Sequence, residues 1–504
     1  MTNGRPLRKY YVFVIVFLFL GATLATCINA ETNQYSLKQA NKELAVHPQP
    51  QPVSKLPPKL EWNKTYGGEF DQFAYEVQPT TDGGYVIGGW TKSFGIAKFN
   101  PWLIKTDNTG TELWNKTYNY YSLTNISGKI QAVQETSDHG YILGCTFYNA
   151  AKNRYGFYSS IVLIKTDANG NELWNKTYAG LEYSNCYCVR LTSDGGYIAT
   201  GGGNYSADNP TNLYLLKTAS DGTMQWLKTF GTSDMFEEGH GVQQTTDGGY
   251  IITGQSDLDF DKHWGKIWLI KTDASGVATW NKKFGENNSF GNYVQQTTDG
   301  GYILIGRNAS LGCLLKTDAS GNEQWRKTPF LTPAALMEYS CKQTTDGGYI
   351  ATGMGVVKTD ASGHEEWNVT MVQPFISGQQ TSDGGYVIVG STNGYYGGDI
   401  WLMKFGPAPQ VSYAIAGGHG ITLKITNTGT VDADGVAWQV HVTGGILHHI
   451  NHTQSGAADV SVGNTNSVAT GSFLGLGAIQ VSATVNGETK TAKGFQLFTF
   501  TIIK

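Results

Sequence analysis

Asp247-Gly248-Gly249-Tyr250-Ile251-Ile252-Thr253, then Ile267-Trp268-Leu269-Ile270-Lys271-Thr272, then Trp280-Asn281-Lys282-Lys283-Phe284 form one copy of a repeat that decides the fold. The Asp-Gly-Gly-Tyr motif begins at Asp82, Asp138 (where His139 replaces the first glycine), Asp194, Asp247, Asp299, Asp346 and Asp383. Each is followed by an apolar run ending in lysine: Lys105, Lys165, Lys217, Lys271, Lys316, Lys358 and Lys404. A tryptophan segment follows six of these runs, and the seventh stops at Phe405. The missing segment, Trp62-Asn63-Lys64-Thr65-Tyr66, stands ahead of the first motif. A repeat split between the two ends is what a ring requires. The fold expected for 59–406 is an all-β, seven-bladed β-propeller closed by an N-terminal strand.

Within one copy, Gly241 to Thr245 reads as the first strand, Tyr250 to Thr253 as the second, Ile267 to Thr272 as the third and Trp280 to Phe284 as the fourth. Asp-Gly between the first two predicts a type I′ hairpin turn. The middle strands are apolar on both faces, which suits a sheet held between two others. The recurring tryptophan is large and rigid enough to bridge neighbouring sheets. A lysine in every copy belongs to the scaffold, paired with a turn aspartate or laid over a ring. Residues carrying function should break the repeat instead.

The Asp-x-x-Gly-x-x-x-Trp spacing, as in Asp107 to Trp114 and Asp318 to Trp325, resembles the tryptophan-docking motif of PQQ-type propellers, one residue shorter. The whole of 60–405 resembles the secreted propeller-repeat proteins of archaeal and bacterial cell surfaces. That resemblance implies fold more than activity, because propellers host many functions. Residues 408–504 alternate apolar and polar residues between turn signals such as Asn427-Thr428-Gly429 and Asn486-Gly487, predicting an Ig-like β-sandwich. Their Thr426 to Val436 stretch is similar to the CARDB-type adhesion domains of prokaryotic surface proteins.

Residues 1–30 carry Arg5, Arg8 and Lys9, no acid, and an apolar run from Tyr10 to Leu24. They read as a signal peptide or N-terminal membrane anchor. Without them the formal charge of −4 becomes −7, which argues against nucleic acid as a partner. Residues 31–58, with Pro48, Pro50, Pro52, Pro57 and Pro58, read as a linker. The chain is therefore expected to be secreted or displayed at the cell surface, touching a membrane only through its N-terminal run. Cys145, Cys186, Cys188, Cys313 and Cys341 fall in strands as small buried hydrophobes.

Candidate functional residues lie where the copies differ. The segments between second and third strands are long in the first four copies (90–101, 146–160, 201–212, 255–266) and short in the fifth and sixth. They carry aromatic residues, and Trp90, Tyr155, Phe260 and Trp264 are the expected ligand-binding set. Asp257, Asp259 and Asp261 alternate like the start of a calcium loop, but Lys262 stands where the turn glycine belongs, so a solvated acidic loop is the preferred reading. His448, His449 and His452 have no acid beside them and read as surface. Asn125, Asn204 and Asn308 are the loop sequons open to glycosylation. The innermost strands offer Gln134, Gln243, Gln244, Gln295, Gln296, Gln379 and Gln380, predicting a channel lined by neutral amides. No catalytic residue or cofactor is assigned. The expected function is non-enzymatic binding or adhesion toward an extracellular glycan or protein. The alternatives are a propeller enzyme (a PQQ-like oxidoreductase or glycan-acting hydrolase) and a purely structural envelope protein.

Overall fold

The computed structural model describes residues 56–504, except 120–125, 150–157, 179–182, 205–210, 233–234, 260–263, 310, 334–339, 354, 371–373 and 394–397. The N-terminal run and most of the linker therefore lie outside the described residues. No helix among the described residues is long and apolar enough to cross a membrane.

Four-stranded antiparallel sheets follow one another along 60–405, the second and third joined by a single parallel pairing of Tyr183 with Ser159. The first comprises Gln72–Pro79, Tyr85–Thr91, Asn100–Thr106 and Glu112–Thr117. The last comprises Phe375–Gln380, Tyr386–Ser391 and Ile400–Phe405. Its fourth strand is Leu60–Tyr66, from the other end of the chain, with Trp62 opposite Lys404 and Tyr66 opposite Ile400. The apolar cores lie between successive sheets. Val86 and Leu103 pack with Val133, Leu143 and Val162 of the next sheet. Val387, Val389 and Leu402 of the last sheet pack with Val77, Ile87 and Trp102 of the first. First and last sheets are thus neighbours, as in a propeller.

The repeated residues explain how one sheet holds the next. Trp62, Trp114, Trp174, Trp226, Trp280, Trp325 and Trp367 each meet the tyrosine that ends the Asp-Gly-Gly-Tyr motif of the following sheet, at centroid distances of 5.1–6.0 Å. The edge of each of the first six rings also lies over a turn glycine. At Gly276 a Cβ would come within 2.7 Å of Trp226, and its φ of 78° suits glycine. The repeated lysine is buried and ion-paired with the turn aspartate in every copy, from Lys105–Asp82 at 2.9 Å to Lys404–Asp383 at 2.8 Å. The pairing expected for these lysines is therefore what the structure contains.

The hairpin turn itself differs from the type I′ expectation. Gly83 N donates to Thr80 O and Thr80 N to Gly84 O, with only Gly83 at positive φ. This is a type I turn followed by a left-handed glycine bulge. Asp82 stays out of the left-handed region because its carboxylate accepts from Thr80 Oγ1 and Gly84 N. His139 holds the glycine position of the variant copy at φ 61°.

Residues 411–503 form a three-stranded and a six-stranded sheet. Leu423, Ile425, Val436, Trp438, Val440, Val442, Val481 and Ala483 point inward at alternate positions and make the core. The segment before the first strand is attached to this unit: Leu56 packs against its core and Lys59 pairs with Asp434. Ala408 packs in turn against the last four-stranded sheet.

Candidate functional site

Along the innermost strands, side chains from every sheet of 60–405 converge on one cavity of about 330 Å³. Tyr75 and Glu76 come from the first sheet and Gln131 from the second. Tyr187, Cys188 and Arg190 come from the third, and Glu238 and His240 from the fourth. Phe290 and Tyr293, Lys342, and Ser377 come from the remaining three.

The wall is charged and aromatic, which corrects the expectation of a neutral amide channel. The repeated glutamines are spent between sheets. Gln134 Oε1 accepts from Leu191 N at 2.8 Å, Gln243 from Gln296 N at 2.6 Å and Gln295 from Gln343 N at 2.9 Å. Gln244 and Gln296 accept from the turn amides of Ser193 and Thr246 in the preceding sheets. Consecutive strand residues point to opposite sides, so a glutamine pair reaches both neighbours.

Where the repeat breaks, the cavity acquires its chemistry. Arg190 and Lys342 stand in the column filled by Gln134, Gln243 and Gln295. Glu76 and Tyr293 stand two residues earlier in their copies, where others have Ala132, Gly241 or Ser340. Arg190 donates to Glu76 at 2.8 and 3.2 Å and to Val189 O at 2.8 Å, and both side chains are nearly buried (12% and 9% exposed). Glu76 also accepts from Val133 N at 3.0 Å, tying the first sheet to the second. Arg190 and Lys342 approach the Tyr293 ring at 6.0 and 5.4 Å. No ion pair engages the Lys342 ammonium among the described residues. Opposite, Glu238 lies 3.4 Å from His240 Nε2 and 3.5 Å from the Tyr187 hydroxyl, while His240 Nδ1 bonds Gly291 O at 2.9 Å. The Nε2 of Gln131 is buried without a partner among the described residues.

The residues expected from the loops fall out as follows. Trp90 stacks on Phe73 at 6.3 Å and meets Phe99 at 5.8 Å, and Phe73 in turn touches Tyr75 of the cavity wall. Tyr155, Phe260 and Asp261 lie outside the described residues, as do the side chains of Trp264 and Asp259. Asp257 is ion-paired with Lys283 at 2.7 Å. The described residues contain no group of three or more metal-ligating side chains. His452 stacks on Phe473 at 5.0 Å. Asn125 is outside the described residues and the Asn204 side chain likewise, while Asn308 Oδ1 accepts from Glu286 N at 2.8 Å. The long segments are shorter as loops than expected. The ladder of Tyr250–Asp259 with Trp264–Thr272 continues through Gln255–Ile267 and Ser256–Lys266, because strand pairing satisfies their backbone groups.

Two titratable groups matter here. Cys188 is buried at the cavity wall, and burial raises its thiol pKa, so it stays protonated and is a poor nucleophile. Glu237, next to Glu238 but turned away from the cavity, is buried beside Thr232. Desolvation pushes its carboxyl up to about 7. A pKa raised on folding gives stability that is complete below the unfolded value and is lost as pH rises through about 7. The melting temperature should therefore decline between pH 5 and pH 8 with a component that Glu237→Gln abolishes. An identical pH profile in the variant would refute this assignment.

No family model matches the chain, and no curated protein does. Among solved structures, the chain is similar to BamB from Moraxella catarrhalis, with 14% identity, 66% of this chain and 83% of that one covered, and a TM-score of 0.37. It is similar to YCF48 bound to D1 peptide, with 10% identity, 70% and 98% covered, and a TM-score of 0.41. It is also similar to a protein of unknown function from Dyadobacter fermentans, with 9% identity, 69% and 99% covered, and a TM-score of 0.44. Likenesses at this level carry no argument for a shared activity.

Proposed function

We propose that this is a non-enzymatic, secreted or cell-surface binding protein. Its ring is a seven-bladed β-propeller closed by Leu60–Tyr66, followed by an Ig-like sandwich, and the central cavity receives part of an extracellular glycan or protein. The supporting observation is the Lys342 ammonium, held over Tyr293 without an anionic partner among the described residues, in a cavity walled by tyrosines. A ligand carboxylate would complete Lys342, while Tyr75, Tyr187 and Tyr293 offer flat faces and hydroxyls to a sugar or peptide. Trp90 extends this aromatic surface outward through Phe73.

The experiment is a glycan-array and pull-down screen with the full chain, followed by titration of the ligand against Lys342→Gln and Tyr293→Ala. Lys342→Gln installs the residue that most other copies carry, so the fold is preserved. Each change should weaken binding about tenfold or more, as expected for central anchors. Undiminished binding by both variants would place the ligand elsewhere.

A further inference from the structure

The C-terminal unit carries a surface that its own folding does not explain. Along Glu488–Phe498 the usual burial pattern is inverted. Gln496 is buried, its amide donating to Phe473 O at 3.0 Å and Phe498 O at 2.9 Å, while Phe495 and Leu497 face outward. Across the sheet, Leu497 is flanked by Leu476 and Phe500, and Phe495 by Ala478 and Ile502, so the exposed side chains form contiguous rows. At the adjoining end of the unit, Leu447, Leu474 and Phe498 are 80%, 76% and 64% exposed. Leu447 and Phe498 are held at φ 58° and 55°, a costly backbone for such residues. An apolar patch of this extent marks an interaction surface.

The distribution of charge identifies what it meets. All four acids of 408–504 lie at the opposite end: Asp432, Asp434, Asp459 and Glu488. The strand Ala433–Gly444 separates the two ends by about 35 Å at strand rise. The apolar end has instead His448 and His449 at its tip and Lys493 and Lys504 beside the rows. We infer that this end inserts into an anionic lipid bilayer surface. Protruding Leu447, Leu474 and Phe498 enter the acyl boundary, and the Lys493 and Lys504 ammonium groups meet lipid phosphates. A second copy is the poorer occupant, because it would set these lysines against each other.

The N-terminal apolar run also has affinity for lipid, so the test must report on position. In a Cys27→Ser background, where the remaining cysteines are buried, the full chain is labelled with an environment-sensitive fluorophore at Leu447→Cys, Leu474→Cys or, as control, Gln439→Cys. Vesicles of phosphatidylcholine with phosphatidylglycerol are then added. Emission from positions 447 and 474 should move to shorter wavelength, position 439 should not respond, and the response should weaken with phosphatidylcholine alone. Serine at the other two tip positions should reduce apparent partitioning roughly tenfold or more, since each buried methylene contributes. No response at 447 and 474, or an equal one at 439, overturns the inference. So does a lipid-independent shift that grows with protein concentration, which would assign the face to a second copy.

Discussion

Deleting residues 60–66 lowers the melting temperature by about 10 °C, because it removes the outer strand of the last sheet together with the contacts of Trp62 and Tyr66. Loss of a buried aromatic side chain such as Tyr66 costs about 3–5 kcal/mol, half-buried Trp62 adds less, and a kcal/mol is worth only about a degree or two in a chain of this size. The deletion also strips Lys404, which is 4% exposed, of its contact with Glu61 and leaves Ile400–Phe405 as a bare edge. A synthetic peptide of residues 58–67 supplied in trans should pair with that edge and restore the melt. A deletion variant that melts like the parent would refute closure through this strand. A variant that the peptide cannot rescue would indicate that continuity with Leu56 and Lys59 is also needed.

The second large effect is expected at Arg190. Replacing it with glutamine, the residue of the repeat column, leaves the Glu76 carboxylate buried without its counter-ion. Breaking a buried pair from one side costs about 3–5 kcal/mol. Glu76→Ala/Arg190→Gln, which returns both positions to residues found in other copies, should recover more than half of that loss. It should not recover all of it, because Val133 N loses its acceptor. Denaturant midpoints of the parent, both single variants and the double variant make a complete cycle. If Arg190→Gln alone is neutral, Glu76 is adequately solvated and the cavity is wetter than its burial indicates. If the double variant is no better than the single, the pair is not the reason for the loss.

These two cases show what a sequence of this kind discloses. The split of Trp62-Asn63-Lys64-Thr65-Tyr66 from the last copy is a periodic signal, and periodicity survives translation into strands. The same is true of the lysine–aspartate pairs and of the tryptophan lying on the next sheet's glycine, since each recurs at fixed spacing. The cavity was less legible. Glu76, Arg190, Tyr293 and Lys342 are 266 positions apart at their extremes by residue number, and only the ring brings them together. Their signal was present as Arg and Lys in a column of glutamines. It was obscured because the glutamines looked like channel lining, whereas their amides bind the neighbouring sheets. The loop aromatics stand out through the length of their segments and their composition, neither of which reports packing, and Trp90 is stacked against Phe73 rather than standing free.

The closure of the ring has a consequence in time. Glu61 and its partner Lys404 are separated by 343 positions. At ordinary rates of synthesis the first strand waits roughly 20–70 s before its partner has been made. Until then Trp62 and Tyr66 have no sheet to join, and the early sheets must stack as an open arc with two raw ends. Closing the ring thus joins the first strand of the repeat to be made with the last. The growing protein passes most of its synthesis as an unfinished circle, and it is in that interval, rather than after completion, that it most needs protection from neighbours.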